Sequence, residues 1–420
     1  MEKKRNKKAI LRWILIPLSI ILAFTGGFFS HYLFRSKNVG LATDIIKIME
    51  KVGYVYDETT GEKRPISSEE IADALVSGLF DKFSAYYTEE EYKEVQKSEK
   101  GNLSGVGLTF VDEDNVIDRV VFNSPAELVG LRQGDKIVGC TLNGSSIAIT
   151  NRDEFANFVT PVQTNVEFTI SVERGIEPLS FNVKKENYVS ALVQYKDSQK
   201  TFAFRSENGK LVGKAFDGGM ALDDKTAYVE FTSFDRGAGE QMEKALAFMK
   251  ERGRTKLILD LRNNVGGFVD ELQKVCELLI YNNGQKKTLV LHAKTANKDE
   301  DFYTSSNKFN TDITNISVIA NERSASASES LIGAMLHYGD RFSADSLVIE
   351  KNSFGIAKTH GKGIMQTTYG LISGGALKLT TGKIFWPDKK TCIQGKGIFT
   401  TESNSVASSY ALQRAIECIS

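Results

Sequence analysis

Three stretches of the chain hold residues whose types and spacing could do chemistry. In Asn321-Glu322-Arg323-Ser324-Ala325-Ser326-Ala327-Ser328-Glu329, small residues crowd a turn that follows an apolar, strand-like run and opens a helix. A serine on such a turn is exposed, and the N–H groups of the helix start point toward any oxyanion that forms on a bound carbonyl. Ser326 also stands three residues before Glu329, which fits a helix capping box with no chemistry at all. Downstream, Thr359-His360-Gly361-Lys362-Gly363-Ile364-Met365-Gln366 sets a lysine between two glycines. A lysine kept neutral by desolvation can take a proton from serine without any histidine. A plain surface turn is the alternative, since Gly395-Lys396-Gly397 repeats the pattern. The third stretch, Leu257-Ile258-Leu259-Asp260-Leu261-Arg262-Asn263-Asn264-Val265-Gly266-Gly267, ends a strand in a glycine turn of the kind that forms anion-binding backbone nests. It matches neither the P-loop nor the dinucleotide fingerprint. An oxyanion hole is the better use for it, in combination with the other two.

The elements that must position these residues can be read from periodicity. Apolar residues recur at three- and four-residue spacing between Leu41 and Lys97, which predicts helices, with Ser67-Ser68-Glu69-Glu70 as one helix start. From Gly101 to Val189 the pattern changes to short alternating strands and glycine turns, a small and mostly β module. A polar stretch from Lys196 to Lys210 follows. Strands then alternate with helices: strands at 227–231, 256–260 and 316–320, and helices at 239–250, 269–281 and 328–338. Strand, loop, helix, strand is the signature of an α/β sheet with its functional groups at strand ends. The expected division is a basic tail and anchor at 1–36, a helical region at 37–100, the β module at 101–189 and an α/β core at 190–420.

Composition excludes some functions. With 53 basic and 53 acidic residues there is no net field to draw in nucleic acid. Cys140, Cys276, Cys392 and Cys418 lie far apart, without the close pairing of metal sites, so neither a zinc centre nor a structural disulfide is expected. Basic residues from Lys3 to Arg12 precede a run from Trp13 to Phe34 that contains no Asp, Glu, Lys or Arg, its titratable side chains being His31 and Tyr32. At about 1.5 Å per residue, that run spans the ~30 Å core of a bilayer as a helix. The basic flank predicts a cytoplasmic N-terminus, with everything after Arg35 outside the cell membrane. A cleaved signal peptide is the alternative, for which Gly26-Gly27 is a poor cleavage site.

Taken together, the runs LILDLRNNVGG, SASASE and THGKGIMQ, in that order, resemble the carboxyl-terminal processing peptidase family. The resemblance covers the chain from about Ile45 to Ile419. It implies an α/β core related to the crotonase and Clp protease folds, an inserted PDZ domain and hydrolysis of peptide bonds without cofactor or metal. By the same resemblance Ser326 is the nucleophile, Lys362 its base and Gln366 the residue orienting that lysine. Oxyanion donors are implied at Gly266 or Gly267 and at Ala327. The β module resembles a PDZ domain, with Ser104-Gly105-Val106-Gly107-Leu108 as the loop that binds a substrate's C-terminal carboxylate, and Ser124-Pro125-Ala126-Glu127 and Gly130-Leu131-Arg132-Gln133-Gly134-Asp135 as later turns. Implied partners are proteins or peptides with accessible C-termini and a second copy of the chain.

Two departures accompany the resemblance. The interval from Ser326 to Lys362 is longer than the family's usual one, which suggests an insertion at Arg341–Ser353 that displaces the lysine. His337 stands where the family often has an acid, a position read as structural. Two rival readings remain: an inactive PDZ scaffold that binds chain ends, and a histidine-based hydrolase using His360 or His337 with a carboxylate behind it.

Overall fold

The computed structural model describes residues 37–52, 55–56, 63–99, 102–110, 114–122, 124–189, 191–207, 210–281, 285–306, 308, 311–372 and 374–420. The stretch Trp13–Phe34 expected to span a membrane lies outside the described residues. Among those described, no helix is long and apolar enough to cross one.

Two compact units divide the chain at Leu79 and Phe80. In the first are helices α1 (Lys37–Val52) and α2 (Ser68–Leu79). Its predicted helix start is a reciprocal cap: Ser67 Oγ accepts from Glu70 N at 3.1 Å, and the Glu70 carboxylate accepts from Ser67 N at 2.8 Å.

The second unit opens with a short strand, β1 (Ala85–Tyr87), and helix α3 (Glu89–Glu99). The helical reading of this stretch missed β1, which is too brief to carry a periodic signal. In the β module, strands Lys136–Leu142, Ser145–Ala148, Glu167–Arg174 and Glu177–Lys184 form one antiparallel sheet. They pack on β2 (Leu108–Phe110) and the helix Arg152–Val159 around Ile137, Ile170 and Val172, all fully buried.

The core sheet has eight strands. Its first three are β3 (Val193–Lys196), β4 (Lys200–Glu207) and β5 (Lys210–Asp217); after them come β6 (Thr226–Phe231), β7 (Lys256–Asp260), β8 (Asn315–Ala320), β9 (Leu347–Glu350) and β12 (Ser405–Val406), in spatial order β5-β4-β3-β6-β7-β8-β9-β12. From β6 to β12 all neighbours are parallel. Parallel strands are buried on both faces, and this explains their unbroken apolar runs. Val229, Leu257 and Leu259 face helices α4 (Ala238–Glu251), α5 (Val269–Leu279) and α6 (Ala327–Tyr338). Tyr228, Ile258, Ile319 and Val348 face helix α7 (Ala411–Cys418).

The polar stretch Lys196–Lys210 is mostly strand, because β4 and β5 form an antiparallel hairpin on the sheet's edge, where alternate charged residues are tolerated. The segment Arg341–Ser353, where the insertion is expected, carries β9, a buried strand between β8 and β12.

A second sheet holds strands Asp299–Tyr303, Leu289–Thr295, β11 (Ala376–Phe385) and β10 (Ile364–Gly370), with β1 also paired to β11. Lys362 lies two residues before the start of β10.

Candidate active site

The C-terminal ends of β7 and β8 release the two turns singled out in the sequence, and a third loop leads from β9 to β10. Ligand and catalytic groups of open parallel sheets gather at such ends.

Ser324, Ser326 and Ser328 are chemically alike, and structure separates them. Ser324 Oγ donates to Leu261 O at 2.7 Å and Ser328 Oγ to Asn264 O at 2.8 Å, both residues being fully buried. These two hydroxyls stitch the turn to the end of β7. Ser326 lies between them with φ 55° and ψ −112°, half-buried, at the N-cap of α6. A non-glycine residue in that backbone region is strained, and such strain persists only where the surroundings impose it.

The glycine turn lies directly against this serine. A Cβ on Gly266, whose φ is +98°, would lie 2.8 Å from both Ala327 N and Ser326 Cβ. Buried Asn264 braces the turn: its Nδ2 donates to Phe231 O at 2.8 Å and its Oδ1 accepts from Gly266 N at 3.0 Å. The Gly266 N–H is therefore occupied and is not an oxyanion donor in this geometry. Gly267 N–H has no partner among the described residues, and Ala327 N–H belongs to the open first turn of α6.

Glu329 joins the serine turn to the lysine loop. Its fully buried carboxylate accepts from Ser326 N at 3.0 Å and Lys362 N at 2.9 Å on one oxygen, and from Gly361 N at 2.7 Å and Thr359 Oγ1 at 2.5 Å on the other. The sequence reading saw Glu329 only as a cap. Its position on an otherwise apolar helix face was the signal that could have marked it, because a buried carboxylate must find donors. The capping interaction of Ser326 and the main-chain tie of Lys362 thus meet on one carboxylate.

Lys362 is half-buried, and its amine pKa is lowered, chiefly by burial and then by the charge of Lys378 on β11. Its Nζ donates to Gln366 Oε1 at 2.8 Å, and no hydrogen bond joins it to Ser326 Oγ. Gln366 Nε2 in turn donates to Phe83 O, and the Phe83 ring centroid is 4.8 Å from Lys362 Nζ. Neither Phe83 nor Asn264 was anticipated; Phe83 is remote in sequence and acts partly through its main chain.

A cavity of about 560 Å³ adjoins these groups, lined by Lys362, Ala325, Val265 and Phe83 from the core and by Thr109 and Phe110 from β2 of the β module. Asp235 also lines it, with its carboxyl raised by burial. His360 borders the cavity, but no carboxylate bonds its ring among the described residues; the ring meets Phe83 edge-on at 6.2 Å. His337 is exposed near the far end of α6 from Ser326, roughly 15 Å along the helix, and cannot act as its base.

In the β module, Ser104 and Gly105 end a strand paired with Glu186–Val189, and Val106 is buried. Gly107, at φ +86°, packs so closely on Ser124 that a Cβ would lie 2.1 Å from the serine's own. The carbonyls of Val106 and Gly107 accept from Ala126 and Val121 inside the module. Leu108 begins β2, which pairs with Ile117–Val120 on one edge only among the described residues.

Among the described residues no group of acidic, histidine or cysteine side chains could hold a metal ion. The four cysteines are free, with Cys140 and Cys276 buried as their apolar neighbours predict.

Comparison with known proteins shows what the chain is similar to. The family model for peptidase family S41 matches residues 225–402. A "Probable CtpA-like serine protease" of Staphylococcus aureus is 30% identical over 331 residues, 78% of this chain and 58% of that protein. The chain thus spans little more than half the length of such relatives. A protein of the same description from Staphylococcus saprophyticus is 28% identical over 403 residues, 94% of this chain and 72% of that one. Among solved structures, the photosystem II D1 C-terminal processing protease superposes over 90% of this chain and 96% of its own, with a TM-score of 0.50 and 17% identity, a likeness of fold.

Proposed function

Residues 225–402 are a peptidase family S41 region, and from that premise we propose that the chain is a serine endopeptidase in which Ser326 is the nucleophile and Lys362 its general base. The observation that carries the reading is the Glu329 carboxylate, one oxygen of which takes the N–H of both Ser326 and Lys362. Two weak signals far apart in sequence thereby become one site.

Lys362 in its neutral form, which burial favours, takes the Ser326 proton as Oγ adds to the substrate carbonyl. The oxyanion is met by the N–H groups of Gly267 and Ala327, fixed in advance and so costing no reorganisation. Collapse breaks the peptide bond, Lys362 returns the proton to the leaving amine, and an ester remains on Ser326. Water, deprotonated by Lys362, then hydrolyses the ester. In the substrate-free state Lys362 turns to Gln366; the serine–lysine hydrogen bond forms when substrate fills the cavity, as catalytic contacts commonly tighten on binding.

The β module is read as a PDZ domain. A substrate's C-terminal carboxylate binds the N–H groups of the 104–108 loop, and its chain adds as a strand along the open edge of β2. Since β2 also borders the catalytic cavity, a captured end leads into the site. The basic flank and apolar run before Arg35 anchor the enzyme to the cell membrane, with the catalytic part outside.

Mass spectrometry of an unfolded protein such as casein, incubated with wild type and with Ser326→Ala, tests the reading. Wild type produces new termini and Ser326→Ala produces none while still binding peptides with free C-termini. Equal cutting by the variant places the nucleophile elsewhere, and no cutting by either protein favours a binding scaffold.

A further inference from the structure

The base is completed by a turn that precedes the β module in sequence. Gln366 can orient Lys362 only if its amide faces the right way, because its oxygen must meet the amine. That choice is made by Phe83, whose main-chain carbonyl accepts from Gln366 Nε2 and so turns Oε1 toward Lys362 Nζ, 2.8 Å away. Gln366 thus holds the amine through one N–H.

The Phe83 ring contributes separately. Its centroid lies 4.8 Å from Lys362 Nζ, and it is an apolar wall of the catalytic cavity. The turn bearing it is fastened at both ends. Asp81 Oδ1 accepts from Phe83 N at 3.1 Å, Asp81 Oδ2 accepts from Thr380 Oγ1 at 2.8 Å, and Ser84 Oγ accepts from Thr380 N at 3.1 Å. Directly after it, β1 pairs with β11 in the sheet that also holds β10, next to Lys362.

We propose that Phe83 is a positioning residue for the general base, its carbonyl fixing the Gln366 amide and its ring shielding the Lys362 amine from water. The proposal rests on the serine–lysine reading. Two effects of the ring oppose one another. An aromatic face attracts the ammonium form, while exclusion of water favours the neutral amine. Burial is the largest influence on Lys362, whose pKa is lowered, and the Phe83 ring, 4.8 Å from Nζ, is among the groups beside the amine. The other charges acting on this amine are Lys378 from β11, which lowers it, and Asp81 and Glu329, which raise it. Asp118, Arg119, Asp235, Arg323 and His360 share its cavity and are unchanged in the test.

The test is kcat against pH for wild type, Phe83→Ala and Phe83→Leu, each checked for an unchanged urea unfolding transition. Phe83→Ala admits water, and the midpoint of the rising limb moves to higher pH by about one unit, a tenfold loss at neutral pH. Phe83→Leu keeps an apolar cover without the aromatic face, so its midpoint returns to the wild-type value or below. A Phe83→Ala profile with an unmoved midpoint, whatever its height, overturns the proposal, as does a Phe83→Leu profile shifted as far as that of Phe83→Ala. If Phe83→Ala does not fold, Thr380→Val, which releases Asp81 from β11 without altering the ring, must shift the midpoint the same way. Lys362→Ala keeps the two ideas apart: if it retains wild-type activity the base itself is misassigned, whereas if it is inactive while Phe83→Ala is unshifted only the role of Phe83 fails.

Discussion

A lysine whose amine is pushed toward neutrality is a burden on the fold as well as a base. Because the pKa of Lys362 is lower in the folded chain than in the unfolded one, the unfolded state binds more protons between the two values. Stability therefore rises with pH across that interval, and the full penalty is present below the folded value. Lys362→Met removes the penalty while keeping the side chain's bulk, so it should abolish cleavage yet raise the urea midpoint at neutral pH; a lowered midpoint would mean that the amine stabilises the fold. Glu329 is the opposite case, a buried carboxylate answered by four donors. Glu329→Gln replaces an acceptor-only group with one that carries two N–H donors of its own. It should lower stability by about 2–4 kcal/mol and cut kcat at least as severely as it unsettles the lysine loop. Unfolding curves and steady-state rates measured on one preparation check both effects.

At the scale of elements, helix α6 must bring Ser326 against the glycine turn, and its packing is close. Gly333 sits where a Cβ would come 2.2 Å from the Trp386 ring. Gly→Ala inside a helix ordinarily stabilises by about 1 kcal/mol. Here the ring must move, and Gly333→Ala should destabilise by roughly 1–3 kcal/mol, read from the shift of the urea transition. The central elements were legible in sequence because their signals are local and repeated. Strands 227–231, 256–260 and 316–320 are apolar runs bounded by turns, and their helices carry regular apolar spacing. What escaped was set by partners distant in the chain. Three residues suffice for β1 because β11 receives them; the β4–β5 hairpin is polar because it lies at an edge; and β9 was masked by an expected insertion. The same reason separates the site residues. Ser326 and Lys362 stand in short motifs, whereas the occupied Gly266 N–H, the bracing Asn264 and the Phe83 carbonyl depend on contacts that no local pattern encodes.

For the molecule as a whole, the proposed function has the β module capture a chain end and the α/β core cut it, both within the second unit. Strand β2 borders the cavity beside Lys362, so under that proposal recognition and hydrolysis share a wall. A free C-terminal carboxylate bound by backbone N–H groups is a charge-assisted contact of about 1.5–3 kcal/mol. Amidating a peptide substrate's C-terminus should accordingly raise KM by roughly ten- to a hundredfold with kcat little changed; equal KM values for the acid and the amide would remove the module from substrate recognition. The chemistry itself rests on one proton transfer. Its most direct test is the pH dependence of kcat/KM for wild type and Lys362→Ala, with Ser326→Ala as the baseline. The account predicts that the wild-type value climbs with pH until the Lys362 amine is neutral and that Lys362→Ala lies on the Ser326→Ala baseline throughout. A Lys362→Ala enzyme that follows the wild-type curve would contradict it.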